Sequence, residues 1–92
     1  MELRVLAVGD VVGEEGVDFL CRRLPGLRRM CGAGFTVVNG ENAASNGLLP
    51  RQAEDIFSAG ADAITLGNHT WDKLQIVPMM EDNPYLLRPA NY

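Results

Sequence analysis

Residues 3–10 have the sequence LRVLAVGD, a nearly continuous apolar run that ends in a glycine followed by an acidic residue. A run of this kind is typical of a strand that is covered on both faces, as the strands of parallel sheets are. The pattern returns in residues 35–42, FTVVNGEN, and in residues 61–69, ADAITLGNH. Three strands of this type predict a parallel sheet.

The two chain segments between these strands show helical periodicity. In the first interval, apolar residues recur three or four positions apart: Val17, Leu20, Leu24 and Leu27. In the second interval, Pro50 can open a helix whose apolar side consists of Ala53, Ile56 and Phe57. Both segments therefore predict amphipathic helices that pack on the sheet.

The last part of the sequence is less regular. Residues 74–83 predict a short helix that Pro78 interrupts, and residues 85–92 predict the start of a fourth strand. The order strand, helix, strand, helix, strand predicts an α/β fold, with a βαβαβ parallel sheet and flanking helices.

The composition limits the classes of partner. The 92 residues carry 8 Lys and Arg against 12 Asp and Glu, a net charge of −4, which disfavours a broad surface for nucleic acid or anionic lipid. The sequence shows no transmembrane run and no secretory leader, so we expect a cytoplasmic protein without membrane contact. A chain of this length predicts a single domain, residues 1–92.

Each of the three strands runs through glycine into polar side chains: Asp10, Glu41 with Asn42, and Asn68 with His69. The glycines would let the backbone turn sharply and approach a ligand: Gly9, Gly40 and Gly67. Because the carboxyl ends of parallel strands share one edge of a sheet, we expect these side chains to converge. Carboxylate and amide oxygens at one spot favour a bound cation such as magnesium or manganese, and iron becomes suitable when imidazoles join them.

His69 is the only histidine of the chain. A lone histidine is more often structural than catalytic, but its position directly after Asn68 would let it donate a proton to a leaving oxygen beside the metals. For Trp71 we favour an aromatic residue that covers the flank of the site, and for Asp72 a cap of the following helix.

Four segments together resemble the calcineurin-like metallophosphoesterases, and among them the YmdB-type branch: GDVVG, NGENAA, GADAITLGNHTWD and RPAN. The resemblance extends over essentially the whole chain. It implies metal-dependent hydrolysis of phosphodiesters, with 2′,3′-cyclic nucleotides as the substrate class. It also implies that the sheet belongs to a four-layer α/β/β/α sandwich, of which this chain supplies the N-terminal half.

The resemblance further implies a role for each residue at the strand ends. Asp10 would bind one of two divalent or trivalent metal ions, Glu41 would bridge the two or lie between them, and Asn42 and Asn68 would add oxygen ligands. His69 matches the family's proton donor. In that mechanism a metal-activated hydroxide attacks phosphorus in line, and the ions stabilise the attacking and leaving oxygens.

The chain departs from that family in two respects. The wider superfamily begins with Asp-x-His, whereas Asp10 is followed by two valines, as in the YmdB-type branch. Family members are more than twice as long and take further metal-binding histidines from their later half. We therefore expect residues 1–92 to be an incomplete portion of the domain. The inner face of its sheet and an edge strand would be exposed, which favours self-association or contact with the missing C-terminal half.

Two other interpretations remain open at this point. The chain could be a non-catalytic binding or scaffold module that retains the fold and lacks the later histidines. It could also be a nucleotide-binding α/β domain without metal, although this interpretation leaves the polar residues after all three glycines unexplained.

Overall fold

A computed structural model describes residues 2–91. The α-helices and strands of that range are, in chain order, β1 (Val5–Val8), α1 (Gly13–Cys31), β2 (Phe35–Asn39), α2 (Pro50–Ala59), β3 (Ala63–Thr65), α3 (Val77–Asp82) and β4 (Leu86–Leu87). Two short 3-10 helices, Gly67–His69 and Leu74–Ile76, lie between β3 and α3. The strands form a parallel sheet in the order β1-β2-β3-β4. This confirms the predicted βαβαβ sheet and its fourth strand.

The helices that connect the strands pack on one face of the sheet. Each strand lies beside its predecessor, and because parallel crossovers share one hand, successive connections return on the same side. That face of the sheet carries Leu6, Val8, Val38, Ile64 and Leu86, which belong to the hydrophobic core or pack against it. The helices contribute buried apolar side chains to the same core: Val17, Leu20, Leu24, Ala53 and Ile56.

The opposite face of the sheet is partly open within residues 2–91. Its side chains come from the alternate strand positions, and Val5, Phe35 and Leu87 are 57%, 38% and 44% exposed. The expectation that β1 is covered on both faces is wrong for the described residues. The reason is topological, since helices reach the second face only when the strand order reverses direction. The other expectation, an exposed face beside an edge strand, is confirmed, because β1 lies at the edge of the sheet.

The charges of α1 complement its backbone dipole. Glu14 and Glu15 lie in its first turn, and Arg28 and Arg29 lie in its last turn, where each sign of charge is favourable. The helix ends at Gly32, whose φ of 63° is left-handed and which therefore favours glycine. Within residues 2–91, neither α1 nor any other helix combines the length and the apolar character that a membrane crossing requires.

Proline lies in the first turn of two helices. Pro50 is the first residue of α2, as predicted. Pro78 is the second residue of α3, so it opens this helix and does not interrupt it, which corrects the prediction. The physical reason is that a proline in the first helical turn lacks only an N–H that has no acceptor within the helix.

Candidate functional site at the carboxyl edge of the sheet

The loops that follow β1, β2 and β3 contact one another through their backbones. The N–H of Gly13 donates to the carbonyl oxygen of Asn42 at 3.0 Å, which joins the loop after β1 to the loop after β2. The N–H of Gly40 donates to the carbonyl oxygen of Thr65 at 2.8 Å, which holds the end of β2 on the end of β3. The three loops therefore lie along the same edge of the sheet, where α/β folds form their ligand sites.

The Glu41 carboxylate lies directly against the backbone of Gly67. A Cβ atom at Gly67 would stand 2.6 Å from Glu41 Cδ, and the φ of Gly67 is 53°, in the left-handed region. Both facts require glycine at this position. The Oε2 atom of Glu41 is buried and has no hydrogen-bond partner among residues 2–91. A buried carboxylate oxygen without a partner is energetically costly, so a cation beside it would offset that cost.

Asp10 adopts a left-handed backbone directly after β1, with a φ of 56°. The sequence placed the sharp turn at Gly9, but the backbone of Gly9 does not have a left-handed φ. The turn therefore falls one residue later, on the carboxylate itself. Aspartate tolerates this region better than most residues, and backbone outliers of this kind cluster at functional sites. The Asp10 side chain is exposed.

The five predicted site residues lie on adjacent loops, with different degrees of burial. Asp10 and Asn68 are exposed, whereas Glu41, Asn42 and His69 are half-buried. Within residues 2–91, no three His, Cys, Asp or Glu side chains gather into an ion site by themselves. The predicted ligand set contains only two carboxylates, with asparagine amides as the other oxygen donors. Its metal-binding role stays a prediction.

His69 ends a 3-10 turn, and its ring contacts Asp72. The His69 Nδ1 atom lies 2.8 Å from Asp72 Oδ2, and the two side chains are 30% and 39% exposed. The prediction that Asp72 caps the following helix is wrong, because Lys73 precedes Leu74–Ile76 and no side-chain cap is formed there. Asp72 follows His69 by three residues in a tight turn, so its carboxylate reaches back to the ring and not forward to the helix.

Trp71 lines a cleft of about 450 Å³ beside this turn. The other lining residues are Val77, Met80, Glu81 and Arg88. The cleft does not include the five predicted site residues. The role of Trp71 as a cover for the flank of the site therefore stays a prediction.

Gln52 is a buried polar residue of the region that sequence reasoning missed. Its side chain is fully buried, and its Oε1 accepts a hydrogen bond from the Leu49 N–H at 3.0 Å. Its Nε2 donates to the carbonyl oxygen of Ala43 at 2.8 Å and to Glu14 Oε1 at 2.9 Å. Gln52 therefore ties the loop after β2 to both α1 and α2. Its place as the third residue of α2 is a signal that could have found it, since glutamine there commonly bonds back to the residue before the helix.

Arg51 completes this network from the surface. Its Nη2 donates to the same Glu14 Oε1 at 2.6 Å. This hydrogen bond lowers the pKa of Glu14 below its ordinary value, against the opposing effect of burial, and it raises the pKa of Arg51. The ionised form of Glu14 is therefore the form that the folded chain favours.

Known proteins resemble this chain over nearly its whole length. The model of the YmdB-like protein family matches residues 6–92. A 2′,3′-cyclic-nucleotide 2′-phosphodiesterase of Bacillus subtilis (strain 168) is 46% identical over 91 residues, which cover 98% of this chain and 34% of that protein. A crystal structure of a hypothetical protein from Thermus thermophilus matches with a TM-score of 0.87 and 37% identity, over 98% of this chain and 35% of the other. A crystal structure of a Mycoplasma pneumoniae phosphatase matches with a TM-score of 0.84 and 30% identity, over 95% of this chain and 31% of the other.

These similarities agree with the parallel sheet and its flanking helices. The sheet and its helices have the α/β fold that the two crystal structures share. The chain belongs to the YmdB-like family, as the resemblance of its motifs indicated. It spans about a third of the length of the relatives that it matches.

A substitution at Gly67 tests the close contact with Glu41. Gly67→Ala should lower the free energy of unfolding by at least about 1–2 kcal/mol, because it forces a left-handed alanine and a clash with the carboxylate. Gly9→Ala is the matched control, since among the described residues no atom outside its two chain neighbours lies within 4 Å of its added methyl group, and it should cost less than about 0.5 kcal/mol. Urea unfolding followed by circular dichroism measures both. Equal losses for the two variants would contradict the contact.

The lowered pKa of Glu14 predicts a pH-dependent contribution to stability. A pKa that is lower in the folded than in the unfolded chain stabilises the fold above the unfolded pKa, and this contribution is lost as the pH falls through the folded pKa. Glu14→Gln should therefore be less stable than the wild type at pH 7, and the two should converge in acid. Urea midpoints over this range measure the effect.

Glu54→Gln is the control for this experiment, because Glu54 is an exposed residue of α2. It should follow the pH dependence of the wild type. A deficit of Glu14→Gln that stays constant into acid would contradict the assigned role of the carboxylate.

Proposed function

We propose that residues 1–92 are the N-terminal portion of a longer protein that hydrolyses phosphodiesters with the help of metal ions. In this proposal, 2′,3′-cyclic nucleotides are its substrate class. The observation that carries the proposal is the buried Oε2 of Glu41, which has no hydrogen-bond partner among residues 2–91 and is held against Gly67. It lies at the sheet edge that also carries Asp10, Asn68 and His69. The name of the Bacillus subtilis relative supports the substrate class.

The donors at this edge fit hard cations. Asp10 and Glu41 supply carboxylates, Asn42 and Asn68 supply amide oxygens, and this set suits magnesium or manganese, or iron if histidines from elsewhere in the protein join it. The left-handed backbone of Asp10 supports its assignment, because such strain is retained where a site requires it. Two ions bound there would activate a water nucleophile and stabilise negative charge on the phosphoryl oxygens.

His69 supplies the proton in this proposal. Its side chain is 30% exposed, so a substrate can reach the ring. A protonated ring nitrogen gives its proton to the leaving oxygen as the phosphorus–oxygen bond breaks, and the electron pair of that bond stays on the oxygen. The turn that carries the ring is fixed by Thr70, whose Oγ1 donates to the carbonyl oxygen of Gly67 at 2.7 Å.

The charge balance of the chain supports the need for cations. A chain with a net charge of −4 repels an anionic substrate unless positive charge is concentrated locally. The four predicted ligands are too few to complete the coordination of two ions. In this proposal further ligands come from outside residues 1–92, which form the N-terminal portion of the hydrolase and of its four-layer sandwich.

A non-catalytic scaffold with the same fold is the second candidate. It is favoured by the lack, within residues 2–91, of a cluster of three His, Cys, Asp or Glu side chains. This candidate predicts that the naturally expressed protein is inactive and binds no stoichiometric metal. The same experiment therefore decides between the two candidates.

Two substitutions in the naturally expressed protein test the assigned roles. His69→Ala should lower kcat for a phosphodiester with an alkyl leaving group by about 10²–10⁴-fold, as loss of a general acid does, and should retain the metal. Asp10→Ala should lower the metal content itself, because it removes a carboxylate ligand. Elemental analysis and steady-state kinetics on the same samples measure both effects.

Glu54→Ala serves as the control, since it removes an exposed carboxylate from α2. It should leave both metal content and kcat unchanged. A wild-type protein that is free of metal and inactive would end the proposal and favour the scaffold. Metal loss in His69→Ala would instead make His69 a ligand.

The open face of the sheet supports a second proposal, that the isolated 92-residue chain self-associates through it. Val5 and Phe35 are exposed on this face. Val5 lies on the edge strand β1, and Phe35 is its neighbour on β2. Exposed apolar surface next to an unpaired strand edge favours association. In the longer protein we propose that the rest of the chain covers the same face.

Sedimentation velocity at micromolar concentrations tests this association. The unmodified chain should sediment as a dimer or larger species, and Val5→Lys should shift it toward the monomer because a charge is then buried at the contact. Met30→Lys is the control, since Met30 is 80% exposed on α1, and it should sediment like the unmodified chain. A compact, stable monomer of the unmodified chain would contradict the proposal.

A further inference from the structure

The hydrogen bond between His69 and Asp72 determines which ring nitrogen is free to face a substrate. The His69 Nδ1 atom lies 2.8 Å from Asp72 Oδ2. An ionised carboxylate can only accept a hydrogen bond, so Nδ1 carries the proton of this contact. We infer that Asp72 is the positioning residue for His69, and that it makes Nε2 the atom that delivers the proton. This inference rests on the proposed function of the site.

Asp72 is held in place by its own turn. Its N–H donates to the carbonyl oxygen of His69 at 3.2 Å, so backbone and side chain bind the same residue. Thr70 lies between them with 1% exposure, and its Oγ1 bonds to the carbonyl oxygen of Gly67. The segment from Gly67 to Asp72 is therefore a closed unit with few ways to rearrange.

The loop after β2 also supports Asp72. A Cβ atom at Gly47 would stand 3.2 Å from Asp72 Cβ and 3.1 Å from the backbone nitrogen of Lys73. Gly47 itself has a φ of 87°, in the left-handed region. The loop that carries Glu41 thus packs on the residue that holds the ring, and the proton donor is placed relative to the loop of a predicted metal ligand.

Among the described residues, Asp72 forms an ion pair with His69. Lys73 is the adjacent cation in sequence, but its side chain lies against Gly47. The Asp72 carboxylate is therefore committed to the ring.

The chemistry of the proton transfer explains why this contact matters. The Nε2–H bond breaks, an O–H bond forms on the leaving oxygen, and the electron pair of the phosphorus–oxygen bond stays on that oxygen. The ring becomes neutral and keeps its Nδ1–H bond to Asp72. Without Asp72 the neutral ring could hold its proton on either nitrogen and could rotate, so fewer molecules would present the correct atom. Asp72 acts through His69 and does not touch the substrate.

Nuclear magnetic resonance of the ¹⁵N-labelled chain tests the inference without any metal or substrate. His69 is the only histidine, so a chain without a histidine tag gives one set of ring signals. For the neutral ring, long-range ¹⁵N–¹H correlations distinguish the Nδ1–H form from the Nε2–H form. The wild type should show mainly the Nδ1–H form, and Asp72→Ala should lower the ratio of the Nδ1–H form to the Nε2–H form several-fold.

Two further variants control for misfolding and for the loss of a charge. Asp72→Asn has nearly the same volume and offers both donor and acceptor groups, so it should give a mixture of the two forms. Asp82→Ala removes the same charge from the end of α3 and should keep the wild-type form. A wild type in the Nε2–H form, or an identical ratio in the wild type and Asp72→Ala, would overturn the inference.

Kinetics of the naturally expressed protein supply the second test. Asp72→Ala should lower kcat by about 10–100-fold for an alkyl leaving group, with KM changed less than about 3-fold, because only proton transfer is affected. The loss should be smaller for p-nitrophenolate, which leaves without a proton, and Asp72→Glu should restore part of it. A loss that is equal for both leaving groups would indicate a merely structural role and overturn the inference.

The two tests also separate this inference from the proposed function. If the wild type hydrolyses no phosphodiester, the proposed function fails, and the assignment of Nε2 as a proton donor fails with it. The resonance experiment still decides whether Asp72 fixes the ring.

Discussion

The parallel pairing of β1, β2 and β3 in chain order is the constraint on which the rest of the structure depends. Because each crossover has the same hand and moves to the next strand, α1 and α2 pack on one face and the other face stays open. The same pairing brings the three carboxyl ends to one edge. The core, the open face and the candidate site are therefore three consequences of one topology.

The contact of Glu41 with Gly67 shapes the candidate site at the shared edge. A half-buried carboxylate with one oxygen that lacks a partner within the described part of the chain opposes folding, so the surrounding structure must hold it in place. Gln52 helps to hold the loop that carries Glu41, because its buried amide donates hydrogen bonds to the carbonyl oxygen of Ala43 in that loop and to Glu14 in α1. Satisfied polar contacts of this kind specify one arrangement of a loop. The strained Asp10 backbone shows the same pattern, in which the packed core stabilises a local arrangement that is unfavourable by itself.

The sequence was sufficient for features that depend on periodicity and position. Apolar runs ending in glycine predicted β1, β2 and β3, and the residues that follow them were placed on one edge. It was insufficient where tertiary contacts decide. The left-handed φ fell on Asp10 and not on Gly9, and Asp72 bonded a ring and not a helix end. The covered second face of β1 was also wrong, because an apolar run does not show in which direction the strands are added.

The predicted metal ligands and the proposed proton donor depend on contacts that span different distances along the chain. The predicted ligands Asp10, Glu41 and Asn68 come from three loops, so their spacing depends on the pairing of three strands. The proton donor and its partner, His69 and Asp72, lie three residues apart in one turn. A disturbance of the sheet edge would therefore alter the ligand spacing before it altered the ring. The turn that carries the ring still contacts the loop of Glu41, since Glu41 lies against Gly67 and Gly47 packs on Asp72. These contacts link the proposed proton donor to the loop of the predicted ligand Glu41.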